Sequence, residues 1–409
     1  MHKLLSTLLI GFFAITSGAA HADAPATPAK TWTFLIYLNG NNSLDQFGAV
    51  NIKDMEKVGS NDQVNIIVEW ASLSAHKTVR MLIKKNPDAK NKNIYSPALQ
   101  DLGAVDMGSV ETLKDFIAWG VKNYPAEHYF IDAWNHGSGW HALKLAATAP
   151  TKSPADISWD DSTGNSISTE KLGQAMTYAA KIIGHKVDIY GSDACLMAMT
   201  EIANEMTGSV DYFVGSQEVE PGAGWPYSDL LSRWEATPNA TAEQVSKILV
   251  DAYVKSYERG SPHKEEVTFS AYDLSKLSAL NAAVANFGNK LSQLSPSDRT
   301  QVLSIAAKVQ RFSKRDYADL MDFVNKLASS NIRVLTTEDM ATLQAASKDL
   351  IIANAVTKKY AKATGLSIWL PTNTSDYKRY STRYTGLQFN ALTHWNDALS
   401  SLLQGAHEE

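Results

Sequence analysis

From Thr31 onward the chain repeats one pattern: a short apolar run rich in β-branched and aromatic residues, a loop of small residues, then a helix with one apolar side. Parallel strands can be joined only by crossovers of this length, so the repeat demands a largely parallel sheet covered by helices on its faces. Residues 31–38 read as a first strand stopped by Asn39-Gly40-Asn41-Asn42, and residues 64–70 and 78–83 follow as strands. Ser109 can cap a helix carrying Val110, Leu113, Phe116, Ile117 and Val121 on one face, and Ser168 another with Leu172, Met176, Ala179 and Ile183. Residues 129–134 form a buried strand ending at Asn135-His136-Gly137-Ser138-Gly139, and residues 186–190 one that runs into Gly191-Ser192-Asp193-Ala194-Cys195. A helix is expected from about Leu196 to Met206, then a strand over 210–215. From about residue 240 helical patterns dominate, over 241–257 and 275–291, with strand-like runs at 267–272 and 365–370. Residues 31–409 thus read as one α/β unit, or two that share an interface, without repeats or a linker.

Residues 1–22 stand apart. Met1-His2-Lys3 gives a basic start, residues 4–15 are almost wholly apolar, and Ala20-His21-Ala22 is a small-residue cleavage pattern, which together read as a secretory signal peptide. Residues 23–30, rich in Ala and Pro, read as a flexible leader, so the mature protein is expected to be exported, to the periplasm or the medium. No later segment reaches the roughly 18 unbroken apolar residues of a membrane helix, so no membrane anchor is expected. With 38 Lys+Arg against 43 Asp+Glu, a net charge of −5 and no basic run, nothing marks a nucleic-acid partner. A monomer is expected. At 44% hydrophobic the chain can build a large core, and with Cys195 its only cysteine it must be stable without an intrachain disulfide.

Ligands bind beyond the carboxyl ends of parallel strands, and two residues fit for covalent catalysis stand there. His136 leaves one strand in a glycine-flanked loop; Cys195 leaves another where a helix is expected to begin, which would favour a thiolate. A free thiol is only a few per cent ionised at pH 7, so a neighbouring imidazole is what a nucleophilic cysteine requires. The backbone N–H groups of Gly137 and Cys195 are the natural oxyanion donors. Asp193, two residues before the cysteine, shares its side of an extended chain. At about 7 Å and an effective dielectric of about 20, its charge would oppose a thiolate by roughly 2 kcal/mol. An acid so placed serves something else, and a cationic substrate side chain would cancel the repulsion.

The runs Asn135-His136-Gly137-Ser138-Gly139-Trp140, Asp193-Ala194-Cys195-Leu196-Met197 and Ser216-Gln217-Glu218-Val219-Glu220-Pro221-Gly222-Ala223-Gly224-Trp225-Pro226-Tyr227 resemble those of the clostripain-like cysteine peptidases. Gly365-Leu366-Ser367-Ile368-Trp369-Leu370-Pro371 extends the likeness towards the C-terminus. The resemblance implies a caspase-like α/β sandwich and endopeptidase activity after Arg or Lys, with His136 and Cys195 as the dyad and Asp193 in the specificity pocket. It also implies activation by cleavage between His136 and Cys195, for which Lys144 and Lys152 are the candidate sites, and calcium activation in some members; the chemistry itself needs no cofactor. Relatives can carry a second acid between the glycines of the third run, where this chain has Ala223. Glu218 and Glu220 lie near and either compensate for the missing acid or are solvated loop acids, the second being the favoured reading.

Other features weigh less. His141, Asp160 and Asp161 make no recognisable metal pattern, and the two aspartates read as turn formers before Gly164. Trp134, Trp140, Trp159 and Trp225 read as packing beneath the loops. The functional expectation is an exported cysteine endopeptidase acting on proteins or peptides with Arg or Lys. Its rival is an inactive relative that keeps the fold as a periplasmic or surface binding protein, disfavoured because both dyad residues and their glycines are present.

Overall fold

The computed structural model describes residues 29–88, 90–141, 156–237, 239–258 and 264–404. The expected signal peptide, all but the end of the expected leader, Lys144 and Lys152 lie outside the described residues. Lys30, expected in the leader, is already the first strand residue.

The strands are β1 (Lys30–Gly40), β2 (Val64–Ser72), β3 (Lys77–Leu82), β4 (Ala98–Gly103), β5 (Ala126–Trp134), β6 (Ile157–Asp160) and β7 (Asn165–Ile167), followed by β8 (Val187–Asp193), β9 (Val210–Gly215), β10 (Thr268–Asp273), β11 (Tyr317–Asp319), β12 (Ile351–Val356) and β13 (Ser367–Trp369). Nine of them form one sheet in the order β12-β10-β9-β8-β5-β1-β2-β3-β4. The central strands β9, β8, β5, β1 and β2 are parallel, and antiparallel strands finish both edges.

Both faces of this sheet are covered, which is why its central strands are apolar without alternation. Phe34, Ile36 and Leu38 of β1 pack on one side with the helices Asp45–Met55, Tyr227–Glu235 and Ala242–Tyr257. Leu35 and Tyr37 point the other way, into a core shared with the helices Val110–Asn123 and Thr169–Ile183 and with helices of the C-terminal third. Ser109 and Ser168 cap their helices through Glu111 N–H and Lys171 N–H, and Thr241 with Gln244 forms a capping box. This is the expected sandwich of helices around a largely parallel sheet.

The chain leaves β1 to one side to make β2 and returns on the other to make β5, β8 and β9. The loops after β1 and β5 therefore diverge, and a crevice opens between them at the carboxyl edge of the sheet.

One local expectation fails. No helix starts at Leu196: residues 194–199 run through a turn, and the next helix, Thr200–Asn204, is short. Leu196-Met197-Ala198-Met199 has a helical composition, but its backbone groups are taken by other segments: Ala198 N–H donates to Ser216 and Ala198 C=O accepts from Ser367. The polar stretch before Asn165 also holds structure, the β6–β7 hairpin, whose turn Asp160 makes by accepting from Ser162 and Thr163.

Asp156, the first described residue after 141, is 1% exposed, and both its oxygens accept from Arg383. Removing one partner of such a pair strands a buried charge. Arg383→Ala is expected to lower the unfolding free energy by about 3 kcal/mol, read from the urea midpoint; an unchanged midpoint would show that this anchor contributes nothing.

Candidate active site

His136 stands at the end of β5 in a loop fixed from both sides. Before it, Asn135 donates to the Asn39 carbonyl at 2.6 Å and accepts from Trp159 N–H at 2.9 Å, tying the ends of β1, β5 and β6 together. After it, Ser138 N–H donates to the Asp156 carbonyl, and the Ser138 carbonyl accepts from Tyr317 Oη and Lys314 Nζ. The imidazole is half-buried, and its Nε2 lies 2.9 Å from Ser43 Oγ in the loop after β1. Burial pulls its pKa below the ordinary 6.5, although Asp161 pulls the other way, so the ring is neutral at pH 7.

Cys195 leaves β8 two residues past Asp193, and its loop lies along that of residues 216–220: Leu196, in the left-handed region at φ 66°, donates its N–H to the Glu218 carbonyl. Burial pushes the thiol pKa up, and the charges of Glu218 and Asp193 add to this, while backbone hydrogen bonding from Glu220 and Gly137 pulls part of the way back. The expected help from a helix N-terminus is absent, because the helix begins only at Thr200. The thiol therefore rests protonated, and a nucleophilic role would need a base to take its proton.

His136 and Cys195 line one cavity of about 150 Å³, with Asp193, Val219, Glu220, Gly222 and Gly224. Gly137 closes against the cysteine: a Cβ there would lie 2.4 Å from the Cys195 carbonyl oxygen and 3.0 Å from its nitrogen, so only glycine permits this approach. The two N–H groups expected as oxyanion donors thus belong to touching segments.

Behind the sulfur lies a buried acid cluster. Asp193 Oδ2 accepts from Tyr227 Oη at 2.9 Å and Trp225 N–H at 3.2 Å. Asp132, inside β5, accepts from the same Tyr227 hydroxyl and from Asp193 N–H. Glu220, expected in solvent, is buried against them; Glu218 is buried too, but away from the cavity, accepting from Ser313 and Tyr360. Burial raises all three cluster carboxyls, with mutual repulsion acting on Asp132 and Glu220 as well, and Asp193 is pushed up to about 7. Gly224, at φ 69°, brings the following loop so close that a Cβ would lie 3.0 Å from Asp193 Oδ2.

Sequence reasoning missed Ser43, Asp132 and Tyr227, and favoured a solvated Glu220 over one that joins the pocket. Asp132 carried a readable signal, an acid within the apolar run Tyr129-Phe130-Ile131-Asp132-Ala133-Trp134; Ser43 carried none, since it meets His136 only when β1 and β5 pair. Trp134, Trp140, Trp159 and Trp225 are buried beneath these loops. His141 is paired with Asp316 at 2.9 Å and stacked on Tyr380, apart from the cavity. Among the described residues no three His, Cys, Asp or Glu side chains converge to hold a metal ion, so no step below is routed through calcium.

This arrangement has relatives. The chain is 26% identical over 337 residues to clostripain of Hathewaya histolytica, covering 71% of this chain and 61% of that protein. Two solved structures share the fold at 20% identity, each covering 90% of this chain and 99% of theirs. One is a secreted C11 cysteine protease from Bacteroides thetaiotaomicron bound to an irreversible peptide inhibitor, with a TM-score of 0.65; the other is an inactive zymogen C11 protease from Parabacteroides distasonis, with a TM-score of 0.67. The family model of clostripain matches residues 36–402, nearly the whole described chain, and the protein belongs to the clostripain family of cysteine peptidases.

Proposed function

We propose that this chain is an exported cysteine endopeptidase that cuts after Arg or Lys, with Cys195 as nucleophile and His136 as general base. The observation that carries the reading is the meeting of thiol, imidazole and buried carboxylates in one cavity at the crevice of the sheet. His136 takes the thiol proton as Sγ attacks the scissile carbonyl carbon. The oxyanion so formed faces the N–H groups of Gly137 and Cys195. Collapse breaks the C–N bond, and the imidazolium gives its proton to the leaving amine. Water then attacks the thioester with His136 again as base, releasing the new carboxylate and restoring the thiol.

Asp193 and its neighbours suit a cationic side chain before the scissile bond. Export rests on the signal-peptide pattern of residues 1–22; among the described residues no helix is long and apolar enough to cross a membrane. Activation by self-cleavage at Lys144 or Lys152 suits the anchoring of the flanking residues: Ser138 N–H holds the Asp156 carbonyl at 2.8 Å, so a cut between them leaves both ends in place.

Purified protein offered matched fluorogenic peptides ending in Arg, Lys or a neutral residue tests this reading, with chelator and with calcium. Thiol-blocked turnover of the basic peptides supports it; turnover that survives thiol alkylation contradicts it, and tight peptide binding without turnover favours the binding-protein alternative.

The resting protonation states set the pH profile. A neutral His136 is the competent base, so kcat/KM for a neutral-ended peptide is expected to rise with pH to a plateau whose midpoint lies below 6.5, the ordinary imidazole value. A midpoint above it would mean that an imidazolium–thiolate pair does the work.

A further inference from the structure

Both carboxyl oxygens of Glu220 are buried, and no N–H group or neutral hydroxyl reaches them; the one side-chain hydrogen bond of the group is shared with another acid, the carboxyl of Asp193. Native structures seldom leave a buried carboxyl unsatisfied, because desolvation without a partner is costly. The neighbours of Glu220 do not answer the need. Asp193 can only share a proton with it, carboxyl to carboxyl, Asp132 repels it, Cys195 offers a thiol whose ionisation it opposes, and Tyr227 spends its hydroxyl on the two aspartates. Glu218, two residues earlier, shows the ordinary solution, accepting from Ser313 N–H and Oγ and from Tyr360 Oη, and it does not line the cavity. Glu220 does line it, beside Cys195 and Asp193.

A buried carboxyl whose one partner is another acid, lining a cavity beside the nucleophile, is arranged for a cation that arrives from outside. We propose that Glu220 is a specificity-determining residue, whose carboxylate takes up, together with that of Asp193, the cationic end of the Arg or Lys side chain before the scissile bond. Asp193 already accepts two hydrogen bonds on Oδ2, whereas Glu220 offers both oxygens of one carboxylate, the edge that a guanidinium matches in two parallel bonds. Ala223, at the position where relatives can carry a second acid, lines the adjacent cavity with Asn51 and Lys53 instead. The second negative charge is supplied from Glu220, three residues upstream. The proposal rests on the basic-residue reading given above.

The test compares kcat/KM for matched peptides ending in Arg and in a neutral residue, for the wild type, Glu220→Gln and Glu220→Asp, with thermal unfolding of each. Charged hydrogen bonds contribute enough that Glu220→Gln is expected to lower the Arg-to-neutral ratio about 30-fold, with Glu220→Asp recovering part of it. Gln replaces an acid whose ionisation burial and acidic neighbours oppose, so its unfolding temperature is expected to match or exceed that of the wild type. Should Gln fail to fold, Glu220→Asp decides alone: a shifted ratio supports the role and an unshifted one overturns it. A wild type that prefers Arg, with a ratio unmoved by Glu220→Gln, overturns the role of Glu220 and leaves the proposed function standing. A wild type without any preference for basic residues overturns both.

Discussion

Cys195→Ala is expected to lower turnover of Arg-ended peptides by at least about 1,000-fold while leaving peptide affinity nearly intact, because removing the covalent nucleophile stops the reaction, not the binding. The thiol contributes little to the fold: Cys195 is partly exposed, and the thiol's hydrogen bond to the Glu220 carbonyl is 3.8 Å long. The unfolding temperature should therefore hold within a few degrees. The same variant separates self-processing from processing by other enzymes. If the cut between His141 and Asp156 is made by this chain, Cys195→Ala accumulates as one uncut polypeptide, readable by intact mass. A cut variant would assign processing elsewhere, and retained turnover would remove the thiol from the mechanism.

The second large effect is on substrate choice. Asp193→Asn is expected to lower kcat/KM for Arg- and Lys-ended peptides about 100-fold, the loss of a charge-assisted contact in a buried site, with a much smaller change for neutral ones. Asn keeps an acceptor for Tyr227 Oη and Trp225 N–H, so the fold should survive. The sign of the pH effect follows from the raised pKa. Above about 7 Asp193 is ionised and attracts the cation; below it the carboxyl is protonated and the attraction is lost. Asp132 and Glu220, also raised, act in the same sense, and the buried hydroxyls of Tyr227, Tyr253 and Tyr257 stay protonated throughout. The preference for basic over neutral peptides should therefore grow from pH 6 to 8 in the wild type and flatten in Asp193→Asn. A preference that is independent of pH and unmoved by the substitution would remove Asp193 from the pocket.

How much of this was legible in the sequence depends on the range of the forces involved. The strands and their order of chemistry were readable because β1, β5 and β8 are runs buried on both faces, and such runs are long enough to show in composition alone. Caps at Ser109 and Ser168 were readable because each bond spans three residues or fewer. The chain past Cys195 was misread because local propensity lost to backbone partners far along the chain, Ser216 and Ser367. Glu220 was misread for a related reason: an acid in a loop rich in Gly and Pro looks solvated until the loops after β8 and β9 close over it. His136 and Cys195 stood out because glycines and strand ends surrounded them, whereas Ser43, the partner of the His136 ring, lies 93 residues away and had nothing local to mark it.

The central claim is that one sulfur reacts with the carbonyl carbon that follows a basic side chain. The most direct measurement is mass mapping of the adduct left by an irreversible peptide electrophile ending in Arg, with competition by free peptides. The account predicts one adduct, on Cys195, suppressed by an Arg-ended competitor far more than by a Glu-ended one and slowed in His136→Ala. An adduct that forms at the same rate whatever residue precedes the electrophile, or none on Cys195 at all, would contradict it.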